Sequence, residues 1–304
     1  MLEPLYTAAE MRVVEEGHDA AELMERAGAA VAHEVLRRFP DARRIAVVCG
    51  NGSNGGDGRI AARILREEGC DAVETTAVEQ ADVIVDALFG TGFHGEPRAE
   101  AAATIGRINA AGAPVVSVDV PSGVDASTGE VAGDAVRAEL TVAFHGLKAG
   151  LAIAPGLHHA GEVMIAGLGL EPAETELRLV MPAILSVVPR RRAHDNKYTA
   201  GAVLVAGGSP GMTGAVCLAA DAALRADAGY VVVSVPEASL PVVEARLLEP
   251  VKLRWADAPA AAAKAKALAL GPGLGRDAAA KRLLAELLAA GDQALVLDAD
   301  ALHE

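Results

Sequence analysis

Cys49-Gly50-Asn51-Gly52-Ser53-Asn54-Gly55-Gly56-Asp57-Gly58 joins an apolar run, Ile45-Ala46-Val47-Val48, to a stretch from Arg59 to Gly69 in which Ile60, Ile64 and Leu65 recur at helical spacing. The pattern is a buried strand, a tight glycine turn and a helix. Five glycines fall within the nine residues 50–58. They cost backbone entropy unless the main chain must approach a ligand or take up positive φ. A helix start also offers unpaired N–H groups to an anion. Gly50-x-Gly52-x-x-Gly55 formally matches the dinucleotide fingerprint. Asp57, however, falls in the first turn of the helix, where a carboxylate suits the dipole but repels a pyrophosphate. Asn51, Ser53 and Asn54 add side-chain oxygens, so the loop suits hydrogen bonding and a cation better than a bare phosphate cradle. Glu74 lies near the distance expected of a ribose contact, on a weakly apolar segment.

Upstream, Thr7-x-x-Glu10 is a capping box opening a helix through about Glu16. Asp19-x-x-Glu22 caps a second helix, whose Leu23, Ala27, Ala30, Val31 and Val35 share one face. Downstream, strands are predicted near residues 71–77, 83–88, 114–120, 140–144 and 161–166, with a helix over residues 97–110. Apolar strands alternating with helices predict a three-layer α/β fold around a parallel, Rossmann-like sheet. Ligands bind such sheets beyond the C-terminal strand ends. Three polar or glycine-rich turns fall there: 50–58, 86–96 and 119–125. An Asp at one strand end reads equally well as a turn residue. Asp86 and Asp119 together, beside Asp57, predict a carboxylate-rich pocket suited to acid–base chemistry or to recruiting a cation.

Length and composition bound the rest. The 304 residues suggest two domains, and 52% hydrophobic residues with 3% aromatics imply a core of Ala, Val and Leu. A net charge of -14 argues against nucleic acid or an anionic membrane as partner. Cys49, Cys70 and Cys217 are far apart and lack metal-ligand spacing, as expected in a reducing cytoplasm. No signal-peptide pattern opens the sequence, and no apolar run reaches the ~20 residues of a membrane span.

The three turns, with Leu23-Met24-Glu25-Arg26-Ala27-Gly28 before them, resemble the NAD(P)H-hydrate epimerase domain over residues 1–170. That family interconverts the R and S forms of NADH and NADPH hydrated at C6 of the nicotinamide ring. The resemblance implies that Ser53-Asn54-Gly55-Gly56-Asp57, Gly90-Thr91-Gly92-Phe93-His94-Gly95-Glu96 and Asp119 line the hydrate site. It implies a potassium ion at Asn54, Asp86 and Ser122, whose oxygens suit a hard cation. Asp57 and Asp119 become the candidates for proton transfer, acid and base unassigned, and Asp119→Asn is expected to abolish turnover with the fold intact. Lys148 reads either as a phosphate contact or as a solvated surface lysine, and His145 as structural. In Met11-Arg12-Val13-Val14-Glu15 a Glu stands where the family pattern leads one to expect Asp. Family habit and the amphipathic N-terminal helices imply a homo-oligomer.

Residues 171–193, with Pro172, Pro182, Pro189 and the basic run Arg190-Arg191-Arg192, read as a linker with a solvated hinge. A second α/β segment starts at His194-Asp195-Asn196-Lys197-Tyr198-Thr199-Ala200-Gly201. Its strands are predicted at residues 202–206, 230–235, 268–270 and 295–300, with glycine turns after the first and third. No Gly-Lys-Ser/Thr is present in the turns, which excludes a P-loop. Residues 194–304 resemble the start of the ribokinase-like, ADP- or ATP-dependent NAD(P)H-hydrate dehydratase domain, which implies that Ala215 and Gly275 border a second hydrate site. The family's nucleotide-binding Gly-x-Gly-Asp motif is expected beyond Leu302, so dehydration by residues 194–304 alone is not expected. A non-catalytic scaffold of the same fold has no need of Asn54, Asp57, Asp86, Asp119 and Ser122 together. A redox dehydrogenase needs a cleaner pyrophosphate loop.

Overall fold

The computed structural model describes residues 2–188, 194 and 200–303. The basic run Arg190-Arg191-Arg192 and the stretch Asp195-Asn196-Lys197-Tyr198-Thr199 lie outside the described residues. The chain divides into two compact units between Ile184 and Leu185.

In the first unit the elements are β1 (Leu2–Pro4), α1 (Ala8–Glu15), α2 (Ala20–Arg38), β2 (Arg44–Cys49), α3 (Ser53–Glu67), β3 (Asp71–Glu74), β4 (Val83–Ala87), α4 (Ala99–Ala110), β5 (Val115–Val118), β6 (Leu140–Phe144), α5 (Ala149–Ala152), β7 (Glu162–Ala166) and β8 (Arg178–Val180). Six strands pair in the order β3-β2-β4-β5-β6-β7, every neighbour parallel. Successive residues of a strand face opposite sides, and both sides here are apolar. Ile45 and Val47 of β2 pack with Val31 and Val35 of α2 and Ala61 and Leu65 of α3. Ala46 and Val48 pack with Ile105 and Ile108 of α4 on the other side. Burial on both faces explains why the central strands read as continuous apolar runs.

Strand order reverses between β2 and β4. The chain leaves β2 through α3 on one face and β4 through α4 on the other, so the loops after these strands part and open a crevice. The capping box at Thr7 is complete: the Thr7 N–H donates to Glu10 Oε2 (2.7 Å), and the Glu10 N–H to Thr7 Oγ1 (3.2 Å). Residues 178–180, within the stretch read as a linker, pair antiparallel with β1 instead. Two three-residue strands are too short to show a periodicity.

In the second unit β9 (Ala202–Ala206), α6 (Thr213–Arg225), β10 (Tyr230–Val235), α7 (Leu240–Arg246), β11 (Val251–Arg254), α8 (Ala258–Ala262), β12 (Ala267–Leu270), α9 (Ala278–Leu288) and β13 (Ala294–Leu297) form a parallel sheet in the order β11-β10-β9-β12-β13. Val205 and Val233 pack with α6 and α7 on one face, and Leu204 and Leu268 with α8 and α9 on the other. Order reverses again, between β9 and β12. Among the described residues no helix is long and apolar enough to cross a membrane.

Candidate active site

The glycines after β2 let two backbones touch. The Gly50 N–H donates to the Ala87 carbonyl (2.9 Å), and a Cβ on Gly50 would stand 2.0 Å from the Leu88 oxygen. A Cβ on Gly55 would stand 1.9 Å from the Gly50 oxygen. The loops after β2 and β4 are thereby locked together beneath a cavity of about 1130 Å³. α3 begins at its rim with no side-chain cap. Ser53, Asn54, Asp57, Gly90, Thr91, Gly92, Phe93, His94, Glu96 and Asp119 all line the cavity. Gly55, Gly56 and Gly95 are not among its lining residues: Gly55 backs onto Gly50, Gly56 onto the Met24 thioether, and Gly95 makes a turn at φ 75°. Glu74 pairs with Arg59 (3.0 Å) on the surface. Cys49 also lines the wall, but burial, reinforced by Glu74, pushes its thiol up to about 11, so it offers no thiolate.

Behind the cavity wall lies a knot of oxygens. The carboxylate of Asp86 is fully buried. Its Oδ2 accepts from Ser117 Oγ and the Ser122 N–H (both 2.9 Å), and its Oδ1 from Ser122 Oγ (2.6 Å). Ser122 Oγ in turn accepts from the Phe89 N–H (2.8 Å), while Asn54 Nδ2 donates to the Phe89 carbonyl (2.8 Å). Burial drives the Asp86 carboxyl above its usual value, and the hydrogen bonds from Ser122 and Ser117 pull the other way. No cationic side chain forms an ion pair with Asp86 among the described residues. The donors around it (carboxylate, hydroxyl, amide and carbonyl oxygen) match what a hard alkali cation takes, so the residues present fit potassium. No trio of His, Cys, Asp or Glu gathers as a metal site among the described residues.

Asp57 and Asp119 line one cavity but differ in surroundings. Burial, then the charges of Asp119 and Glu15, raise the Asp57 carboxyl to about 8. It therefore holds a proton at neutral pH. Asp119 follows β5 with φ 66°, a left-handed conformation that a short polar side chain tolerates. Its Oδ1 accepts from the Phe144 N–H (2.9 Å) and from Lys148 Nζ, and Nζ also donates to the Phe144 carbonyl (2.5 Å). The reading of Lys148 as a solvated surface lysine is thus corrected. It is 1% exposed, because the cation turns inward to the carboxylate of Asp119. His145, at φ 63°, stacks obliquely on Tyr6, with ring centroids 6.2 Å apart.

Arg12 and Glu15 are among the lining residues that were not anticipated as part of the site. Desolvation, then the Asp119 charge, raises the Glu15 carboxyl above its usual value, with Lys148 and Arg12 opposing. The available signal was the spacing 11, 12, 15 on a capped helix: Met11 is buried, and one turn places Arg12 beside Glu15.

Two family models match the chain: the YjeF-related protein N-terminus over residues 20–81 and 70–150, and NAD(P)H-hydrate dehydratase over residues 203–304. The bifunctional NAD(P)H-hydrate repair enzyme Nnr of Coxiella burnetii is 36% identical over 97% of this chain and 68% of its own length. The chain belongs to the bifunctional NAD(P)H-hydrate repair enzymes. The repair enzyme of Pyrobaculum aerophilum is 40% identical over 92% of this chain and 66% of its own length. The chain therefore spans about two thirds of these repair enzymes. The NAD(P)H-hydrate epimerase of Limosilactobacillus fermentum is 38% identical over 55% of this chain and 97% of its own length. An epimerase domain is thus fused to part of a dehydratase domain, in a family of metabolite repair.

In the dehydratase portion of this repair-enzyme chain, the loops after β9 and β12 also meet at the order reversal. The Gly208 and Ser209 N–H groups donate to the Pro272 (3.0 Å) and Gly273 (2.7 Å) carbonyls. Ala215 is exposed in the first turn of α6. Gly275, at φ 81°, donates its N–H to Asp300 Oδ2 (2.9 Å), and a Cβ there would stand 3.0 Å from Ser209 Oγ.

Proposed function

We propose that the first unit epimerises the R and S forms of hydrated NADH and NADPH, with Asp57 and Asp119 exchanging protons with the substrate. The observation that supports this most directly is one cavity lined by a proton-bearing carboxyl, Asp57, and by a carboxylate paired with a cation, Asp119. The hydrated ring carries its hydroxyl on C6, next to the ring nitrogen. Inversion there needs one acid and one base. The acid protonates the hydroxyl as the C6–O bond breaks, and the nitrogen lone pair closes to an iminium. Water then adds to C6 from the opposite face and loses its extra proton to the base, so one water leaves and one enters. Asp57 holds the proton to give, and Asp119, whose Oδ2 has no protein donor among the described residues, is placed to receive one.

Potassium would be held by Asn54, Asp86 and Ser122. It supplies positive charge that balances a buried carboxylate and stiffens the loops that carry Asn54 and Gly90. Ala215 and Gly275 would border the hydrate of the dehydratase reaction.

The test starts from a single C6 epimer of hydrated NADPH and follows the second by chromatography. The chain should bring the two to equilibrium far faster than buffer does, and faster in potassium than in a tetraalkylammonium salt. An epimer ratio that drifts no faster than in buffer refutes the reading.

A further inference from the structure

Lysine is almost never fully buried without a reason, and Lys148 is the largest fully buried side chain among the described residues. Stability does not require it, since replacing a buried ion pair by apolar groups of similar volume is often neutral or stabilising. The geometry around it is specific. Asp119 Oδ1 takes two donors, Lys148 Nζ and the Phe144 N–H, and Oδ2 has no protein donor among the described residues. The Lys148 backbone is held as firmly. It bridges to Tyr6 as in a parallel ladder, with the Tyr6 N–H donating to the Leu147 carbonyl (2.9 Å) and the Ala149 N–H to the Tyr6 carbonyl (2.9 Å). The N-terminal segment thus clamps the lysine, and the lysine clamps the carboxylate.

We propose that Lys148 is a positioning residue for epimerisation: it fills Oδ1 of Asp119, holds that side chain in its left-handed backbone setting, and turns Oδ2 to the substrate as the proton acceptor. This rests on the reading of the first unit as an epimerase. The two carboxyl groups differ in their partners: Asp119 is ion-paired with Lys148, while Asp57 feels the charges of Asp119 and Glu15 and has no cationic partner among the described ion pairs. Arg12 and His145 are the other titratable groups nearby; Arg12 acts on Glu15, and His145 feels the Lys148 charge.

Two variants separate charge from position. Lys148→Met keeps the stem and removes the charge; it should lower kcat about 100-fold and leave KM within about threefold. Lys148→Arg keeps the charge but replaces a single donor atom with a planar fork. It should lose only about tenfold in kcat. Parent-like kcat in either variant, or a loss in Lys148→Met that falls on KM and not on kcat, overturns the proposal. Should Lys148→Met fail to fold, the kcat of Lys148→Arg decides. A second readout needs no substrate: at neutral pH the carboxyl-carbon NMR signal of Asp119 should be displaced in Lys148→Met relative to the parent, and coincident signals overturn the proposal. An inactive parent whose Asp119 signal is still displaced refutes the epimerase reading and leaves the clamp standing. An active parent with coincident signals refutes the clamp alone.

Discussion

Ser122 grips Asp86 twice, by its backbone N–H to Oδ2 (2.9 Å) and by its hydroxyl to Oδ1 (2.6 Å). The same hydroxyl accepts from the Phe89 N–H (2.8 Å), so one side chain ties the ends of β4 and β5 together. Ser122→Ala removes a charge-assisted bond and leaves the half-buried Phe89 N–H without its acceptor. We expect a loss of about 2–3 kcal/mol in urea unfolding. We also expect a raised potassium requirement for epimerisation, read from the activity against potassium concentration. Thr at this position keeps the hydroxyl and should recover most of both.

Gly50 and Gly52 are two residues apart yet differ in what surrounds them. A Cβ on Gly50 would stand 2.0 Å from the Leu88 oxygen, whereas one on Gly52 meets nothing within 4 Å. Gly50→Ala must push the β2 and β4 loops apart, at a cost of about 3 kcal/mol or more. Gly52→Ala should stay within about 0.5 kcal/mol of the parent. Thermal melts of the two variants side by side check this.

The glycine stretch and the apolar runs around Val47, Val85 and Val116 made the parallel sheet legible, because a strand buried on both faces has no polar side to blur it. The grouping of Asp57 with Asp119 followed from placing turns at C-terminal strand ends. What stayed hidden depends on contacts distant in sequence. Lys148 looks like any charged residue after a strand, and its burial rests on Asp119, 29 residues upstream, together with the Phe144 carbonyl. Glu15 enters the site because the Thr7 cap and the Tyr6 bridge aim α1 at the cavity. Strand order, which sets the crevice between β2 and β4, is written in no single segment.

Asp57 makes stability fall as pH rises. Its carboxyl protonates at about 8 in the folded chain, against an ordinary value of 3.8. Between those values the folded state binds the extra proton, so the advantage present below about pH 4 is lost progressively up to about pH 8 and is constant above it. Asp57→Asn removes this dependence. The variant should gain stability over the parent across that window, on the order of a few kcal/mol at pH 8, measured as the difference in urea midpoints at pH 5 and pH 8. In kinetics, the parent's kcat/KM should decline above about pH 8 as the donor proton is lost. Asp57→Asn should be slower throughout and lack that limb.

Asp119→Asn was expected, from the sequence, to spare the fold. The buried lysine changes this. Asn leaves the Lys148 ammonium 1% exposed and without its ion-paired carboxylate. Removing one partner of a buried pair costs about 3–5 kcal/mol, and because an amide oxygen still accepts one hydrogen bond we place Asp119→Asn near 3 kcal/mol. The double variant Asp119→Asn/Lys148→Met takes out both charges and should recover most of that loss in urea unfolding. Neither should epimerise. Recovery of stability without recovery of activity would separate the chemical role of Asp119 from its structural one, and equal stability of the single variant and the parent would show that the buried ammonium needs no partner.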